Sequence, residues 1–238
     1  MRKYKRYSKK SEYSYTLGAF PTIELLQSDK EVEAVFIDEN YKDKEKLIDI
    51  LNEKNIYYEI SGKTIRRITN KEKTLVIGAF KKESQPVIKN KNHVVLHEIS
   101  DMGNLGTIMR SMLAFSVKDL VLIGNVADYF NPKVIRASMG AFFKLRISHY
   151  ESMEEYLKDH DNKMYLFMLS LDEKDSIYHK EVEEPFALVM GNEASGLPSG
   201  FEKYGEKVFI PQSEDVDSLN LPIATSIGLY EFRRKRWN

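Results

Sequence analysis

The chain is punctuated by short runs that are apolar almost throughout, each leading into a stretch with helical spacing. "HVVLHEI", "DLVLIG" and "FALVMG" leave no polar face for water. Strands of that kind must be covered on both sides, which is the habit of parallel sheets whose crossovers are helices. "NLGTIMRSMLAF" and "MEEYLKDH" read as such helices, and "NPKVIRASMG" as another with Pro132 in its first turn. "FKLRISHY", "KMYLFMLS" and "EKVFIP" add strands, and a terminal amphipathic helix closes the pattern. The alternation predicts an α/β domain over 93–238 with a mostly parallel sheet. Ligands of such sheets gather where loops leave the carboxyl ends of the strands.

A smaller α/β pattern precedes it over 16–80. "GAFPTIELLQS" reads as a helix, "VEAVFID" as a strand, and "KDKEKLIDILNEKN" as a helix with Leu47, Ile50 and Leu51 on one face. "IYYEI" and "TLVIGAF" read as strands, and "SGKTIRRIT" as a short helix with a Ser cap. The charged stretch 81–92, with one Pro, reads as a linker. Residues 1–15 read as a basic, Tyr-containing arm, mobile in part.

Lys plus Arg equals Asp plus Glu, 36 each, so what matters for partners is where the charge sits. "MRKYKRYSKK" holds six cations and no anion, and "FRRKRW" four more. There is no Cys, which removes disulfides, thiolate ligands and a Cys nucleophile. No signal-peptide pattern and no run of eighteen apolar residues is seen, so the expected location is the cytoplasm, with no membrane partner. His93, His97, His149, His160 and His179 lack ligand spacing, and no metal is assigned.

Three loops carry the remaining signal. "EISDMGNLGTIMRS" leaves a strand and opens a helix. Its Asn104 is a cap candidate, and Arg110 projects from a similar face nearly two turns on. "ALVMGNEASGLPSG" is a Gly-rich strand exit that fits neither a Walker A loop nor G-x-G-x-x-G. Its Glu193 suits a helix N-terminus. "IPQSEDVDSLNLPIATS" ends in Ser218, Leu219 and Asn220 before a helix with Pro222 in its first turn. Each loop alone is ordinary.

Their combination and order are not. Over about 93–236 the chain resembles the SpoU, or TrmH-like, RNA ribose 2′-O-methyltransferases of the SPOUT class. "NLGTIMR", "MGNEASGL" and "IPQSEDVDSLNLPIATSIGLYEFRR" look like that family's three motifs, and "RASMGAFFKLRI" matches the stretch after the first. The resemblance implies S-adenosylmethionine as cofactor, a trefoil knot near the C-terminus and a homodimer. It implies catalytic roles for Arg110, Asn104, Glu193, Ser218 and Asn220. It implies that the backbone at Gly191, Ile210, Leu219 and Asn220 holds the cofactor. Residues 16–80 resemble, more weakly, a ribosomal-protein-like domain that many members use to hold RNA. Lys63, Arg66 and Arg67 are its candidate RNA contacts, and rRNA is favoured over tRNA. A non-catalytic RNA-binding or ribosome-associated factor is the alternative reading. A base methyltransferase of the same class is a third, disfavoured by "SLN" and Arg110.

Overall fold

The structure is a computed structural model that describes residues 4–71, 73–168, 172–213, 215 and 218–234. Arg2, Lys3, Lys235 and Arg236, counted above among the terminal cations, lie outside the described residues. In chain order the elements are β1 (Tyr13–Leu17), α1 (Ala19–Leu26), β2 (Val32–Ile37), α2 (Lys44–Glu53), β3 (Tyr58–Ile60), α3 (Gly62–Ile68) and β4 (Val76–Lys81). Then follow β5 (His93–His97), α4 (Met102–Ala114), β6 (Asp119–Ile123), α5 (Pro132–Ala137), β7 (Arg146–Tyr150), α6 (Met153–Asp159), β8 (Lys163–Phe167), β9 (Phe186–Met190), β10 (Glu206–Val208) and α7 (Leu221–Arg233).

The chain divides into two compact units, 1–83 with 128–143, and 84–127 with 144–238. The first holds a four-stranded sheet in the order β1-β4-β2-β3. β1 begins within what reads from sequence as a basic arm, 1–15, and runs two residues past it. Its Ser14 and Thr16 are fully buried because each has a partner: Ser14 donates to the Phe130 carbonyl at 2.5 Å, and Thr16 meets Thr22 at 2.7 Å. Tyr4 is buried too, edge-on to Tyr13 and Phe36 at 5.3 and 5.1 Å. The two ends of the arm, Tyr4 and 13–15, thus belong to the core of this unit, while Lys5, Arg6, Lys9 and Lys10 between them are exposed.

Segment 128–143 belongs to the first unit although the sequence pattern groups it with the second. Apolar burial explains why. Phe80, fully buried on β4, packs edge-on against Phe143 at 5.5 Å and against Phe142 at 6.1 Å. Tyr7 donates to the Asp128 carboxylate, and the Lys82 ammonium sits 4.5 Å from the Tyr7 ring centre. Burial, then this hydrogen bond, drives the Tyr7 phenol far above its usual pKa.

The second unit holds a six-stranded sheet, β10-β8-β9-β5-β6-β7, parallel at every pairing. Every residue of β6 and β9 is buried, as their unbroken apolar runs require. The stretch 81–92 is shared between the units. Lys81 ends β4, whereas Val87 donates to Ser148 at 3.1 Å and joins the second core. Ile88 N–H donates to Asp119, which also holds Arg146 through two contacts of 2.7 and 2.5 Å. Behind β5, His93 bonds Tyr156 at 2.8 Å and the Ile88 carbonyl at 2.9 Å.

Candidate active site

Because the second sheet is parallel, the carboxyl ends of its strands share one edge. The loops 98–101, after β5, and 191–200, after β9, leave that edge from neighbouring strands. The stretch 209–220, after β10, leaves it two strands further out. Residues 214, 216 and 217 of this third loop lie outside the described residues.

The first two loops are tied by one carboxylate. Glu193 accepts from Asn104 Nδ2 at 3.3 Å, from the Asp101 amide at 3.2 Å, and from the Ser100 amide and hydroxyl at 3.5 and 3.4 Å. It therefore faces the N-terminus of α4, where unsatisfied amides and the helix dipole favour an anion. The acid suits a helix terminus as expected, but that of a helix some ninety residues earlier in the chain. Asn104 is not the cap of α4: Asp101 is, accepting from the Asn104 amide at 2.7 Å. That leaves the Asn104 side chain free to reach Glu193.

The second loop is a tight turn. Asn192 and Gly196 exchange backbone hydrogen bonds of 3.0 and 2.9 Å. Gly191 has no left-handed φ; its constraint is space. A Cβ there would stand 2.1 Å from the Gly196 carbonyl carbon and 2.3 Å from its oxygen. Asn192, which sequence reasoning passed over, donates to the Glu98 carbonyl at 2.8 Å and accepts from Ala194 at 2.9 Å. Glu98 is held at φ 52°, a left-handed value, with its amide donating to the Ile123 carbonyl at 2.9 Å and its carbonyl accepting from Asn192. Its neighbour His97, edge-on to Phe201 at 4.9 Å, has its pKa lowered by burial, against the pull of Glu98.

The third stretch enters α7. Asn220 occupies the N-cap position, but its side chain makes no cap bond. Within the helix, the Thr225 and Ser226 hydroxyls fold back on the Leu221 and Pro222 carbonyls at 2.8 and 2.7 Å. Ser218 and Asn220 are exposed, and Leu219 and Ile210 are half-buried. Among the described residues, the backbone groups of Ile210 and Leu219 have no hydrogen-bond partner. Ser111 on α4 meets Ser226 on α7 at 2.6 Å, fixing one helix on the other one residue past Arg110. Arg110 itself is exposed.

The candidate RNA contacts lie in the first unit, on α3. Ser61 caps this helix by accepting from Thr64 at 3.2 Å. Lys63, Arg66 and Arg67 are exposed. Two of them already have company. Arg67 donates to the Tyr4 carbonyl at 3.1 Å. A Cβ on Gly62 would lie 2.5 Å from Asp38 Oδ2, 2.9 Å from Glu39 Oε2 and 3.1 Å from Arg66 Nη1, so guanidinium and carboxylates converge there. Among the described residues no helix is long and apolar enough to cross a membrane, and no three His, Asp or Glu gather as a metal site requires.

Residues 91–230 match the model of the SpoU rRNA Methylase family. A Synechocystis protein described as an uncharacterized tRNA/rRNA methyltransferase, slr1673, is 33% identical over 146 residues, which cover 60% of this chain and 53% of that one. The chain thus spans about half the length of this relative, 53%. The Bacillus subtilis 23S rRNA (guanosine(2553)-2'-O)-methyltransferase RlmP is 28% identical over 182 residues, 74% of this chain and 72% of that protein. The AdoMet-bound rRNA methyltransferase from Sinorhizobium meliloti has a similar fold, with a TM-score of 0.80 at 26% identity, covering 94% of this chain and 88% of that one.

Proposed function

The chain belongs to the SpoU rRNA methylase family, and on that premise we propose that it methylates a ribose 2′-hydroxyl of RNA, ribosomal RNA before transfer RNA, using S-adenosylmethionine. The observation that carries this reading is the bond from Asn104 to Glu193, which joins residues of the first and second motifs at the carboxyl edge of a parallel sheet. The similar Bacillus subtilis and Sinorhizobium meliloti proteins are named for rRNA methylation, the former at a 2'-O position.

The residues present fit the cofactor. The close backbone approach at Gly191 and the unpartnered backbone groups of Ile210 and Leu219 offer neutral donors and acceptors, suited to a neutral adenine edge. Gly191, Ile210, Leu219 and Asn220 would hold it. When bound, it supplies an electrophilic methyl carried on a sulfonium sulfur. The chain's part is to present the hydroxyl. Arg110 stays charged, so it orients and stabilises the oxygen as negative charge develops there, and does not act as a base. The hydroxyl proton passes to a phosphate oxygen of the RNA, which the same guanidinium steers. Glu193 and Asn104 hold the two loops in register, and Ser218 and Asn220 wall the reacting oxygen. A trefoil knot near the C-terminus, a homodimer and a cytoplasmic location belong to the same reading. Ile223, Ile227 and Tyr230 support the dimer, because α7 leaves them 52%, 37% and 57% exposed on one stripe. Residues 16–80, with Lys63, Arg66 and Arg67, hold the RNA.

The test uses labelled S-adenosylmethionine and RNA from a strain lacking the gene. Native protein should place label on ribose 2′-O, and Arg110→Ala should lower the rate by about 10²–10³ with cofactor affinity retained. Label on a base, or no transfer to any RNA fraction including intact subunits, would overturn the proposal.

A further inference from the structure

Of the α3 cations, Arg67 is already engaged by the Tyr4 carbonyl, and the first unit holds other cations that can meet RNA. The fold gathers a second group of cations from distant sequence. Lys71 follows Asn70, whose side-chain oxygen accepts from the Arg6 guanidinium. Its backbone is pinned at both ends: its amide donates to Thr69 Oγ1 at 3.2 Å, and its carbonyl accepts from Thr74 at 3.1 Å. The helix α5 supplies Lys133 and Arg136, three residues apart and so on one face. Between them Val134 and Ile135 are buried, which turns that charged face outward. The helix is anchored by packing against β1 and by Asn131, which accepts from the Lys133 amide at 2.9 Å.

Lys71, Lys133 and Arg136 are all exposed. Among the described residues none of their side chains has an ion pair or a hydrogen bond. Burial first, then the nearby Arg136 and Lys133, lowers the Lys71 pKa, so both α5 cations lie within reach of Lys71. By contrast, Lys81 of this unit is matched with Glu83 at 2.5 Å and Lys46 with Asp43 at 3.3 Å. Like charges held together without a counter-charge attract an anion.

We propose that Lys71, Lys133 and Arg136 form a phosphate-binding site for the backbone of the RNA substrate. The inference rests on the RNA methyltransferase reading and extends it to a surface to which α5, from the middle of the sequence, supplies two of the three cations. Arg136 offers a forked donor and the two lysines offer point charges, a set suited to adjacent phosphates. Such contacts set position and affinity, not sequence preference.

The test is the salt dependence of binding to a labelled RNA hairpin. Each phosphate contact contributes about 0.7 to 0.9 to the slope of log affinity against log salt, so Lys71→Ala/Lys133→Ala/Arg136→Ala should flatten it by about 2 to 3. Lys133→Gln/Arg136→Gln, which leaves Lys71 in place, should flatten it by about 1.4 to 1.8. The unfolding midpoint and the affinity for S-adenosylmethionine should stay native. A comparison variant, Lys42→Ala/Lys46→Ala/Lys54→Ala, removes the same charge from α2 and its flanks and should keep the native slope. A native slope in the triple patch variant, or equal flattening in the comparison variant, would overturn the patch and leave the methyltransferase reading standing. Absence of salt-dependent RNA binding by the native protein would overturn both.

Discussion

Replacing Gly191 by Ala probes the turn on which the proposed cofactor site depends. The new methyl would meet the Gly196 carbonyl carbon at 2.1 Å and the Leu197 nitrogen at 2.3 Å, both backbone atoms. No rotamer change relieves such a clash, so the turn 192–196 must open. Opening breaks the two hydrogen bonds between Asn192 and Gly196, each worth about 1 kcal/mol net. It also moves Glu193 away from the amides of Ser100 and Asp101, for about 1–2 kcal/mol more. If the bound state needs the closed turn, a cost of about 3–4 kcal/mol lowers S-adenosylmethionine affinity by about 160- to 900-fold. Titration calorimetry on native and variant protein measures this, with far-UV circular dichroism to confirm that the sheet persists. An affinity within about threefold of native would refute the reasoning, because the turn would then not be what presents the site.

Glu193→Gln keeps the shape but exchanges charge-assisted bonds for neutral ones, a loss of about 1–1.5 kcal/mol, so single-turnover methyl transfer should slow about tenfold. Phe142→Ala should destabilise the first unit by about 3–5 kcal/mol in urea unfolding, since Phe142 is 2% exposed and packs on Phe80. His93 and His160 are buried, and burial lowers both pKa values below 6.5. The unfolded chain therefore binds protons first as pH falls, so stability is full above about pH 6.5 and declines below it, by up to about 1.4 kcal/mol per pH unit for each histidine. Urea midpoints measured from pH 7.5 down to 5 check this; a midpoint flat across that range would contradict it.

The second sheet was the most legible part of the chain, because strands buried on both faces leave an unbroken apolar run, as in β6 and β9. β1 was not legible. Its Tyr13, Ser14, Tyr15 and Thr16 alternate as a half-exposed strand would, yet all four are buried. Ser14 and Thr16 escape the rule through the Phe130 carbonyl and Thr22, partners that only the tertiary fold supplies. The start of α4 was misread for a local reason: two capping residues, Asp101 and Asn104, compete within one turn, and Asp101 takes the amide. The link between Asn104 and Glu193 spans 89 residues, and no spacing rule carries that distance; the resemblance alone placed them in one site.

The interleaving of the two units bears on how the chain folds as it leaves the ribosome. Residues 1–83 emerge first but lack Phe130, Phe142 and Phe143, so Phe80 has no cover and Ser14 no acceptor until residue 143 is out. The usual order, in which the N-terminal domain completes itself before the next is made, is therefore unavailable here. At about 5–20 residues per second, the sixty or so residues from 84 to 143 hold that apolar surface open for roughly 3 to 12 seconds. A nascent chain stalled near residue 100 should accordingly be a chaperone client, and one stalled far enough past residue 143 to clear the exit tunnel should not.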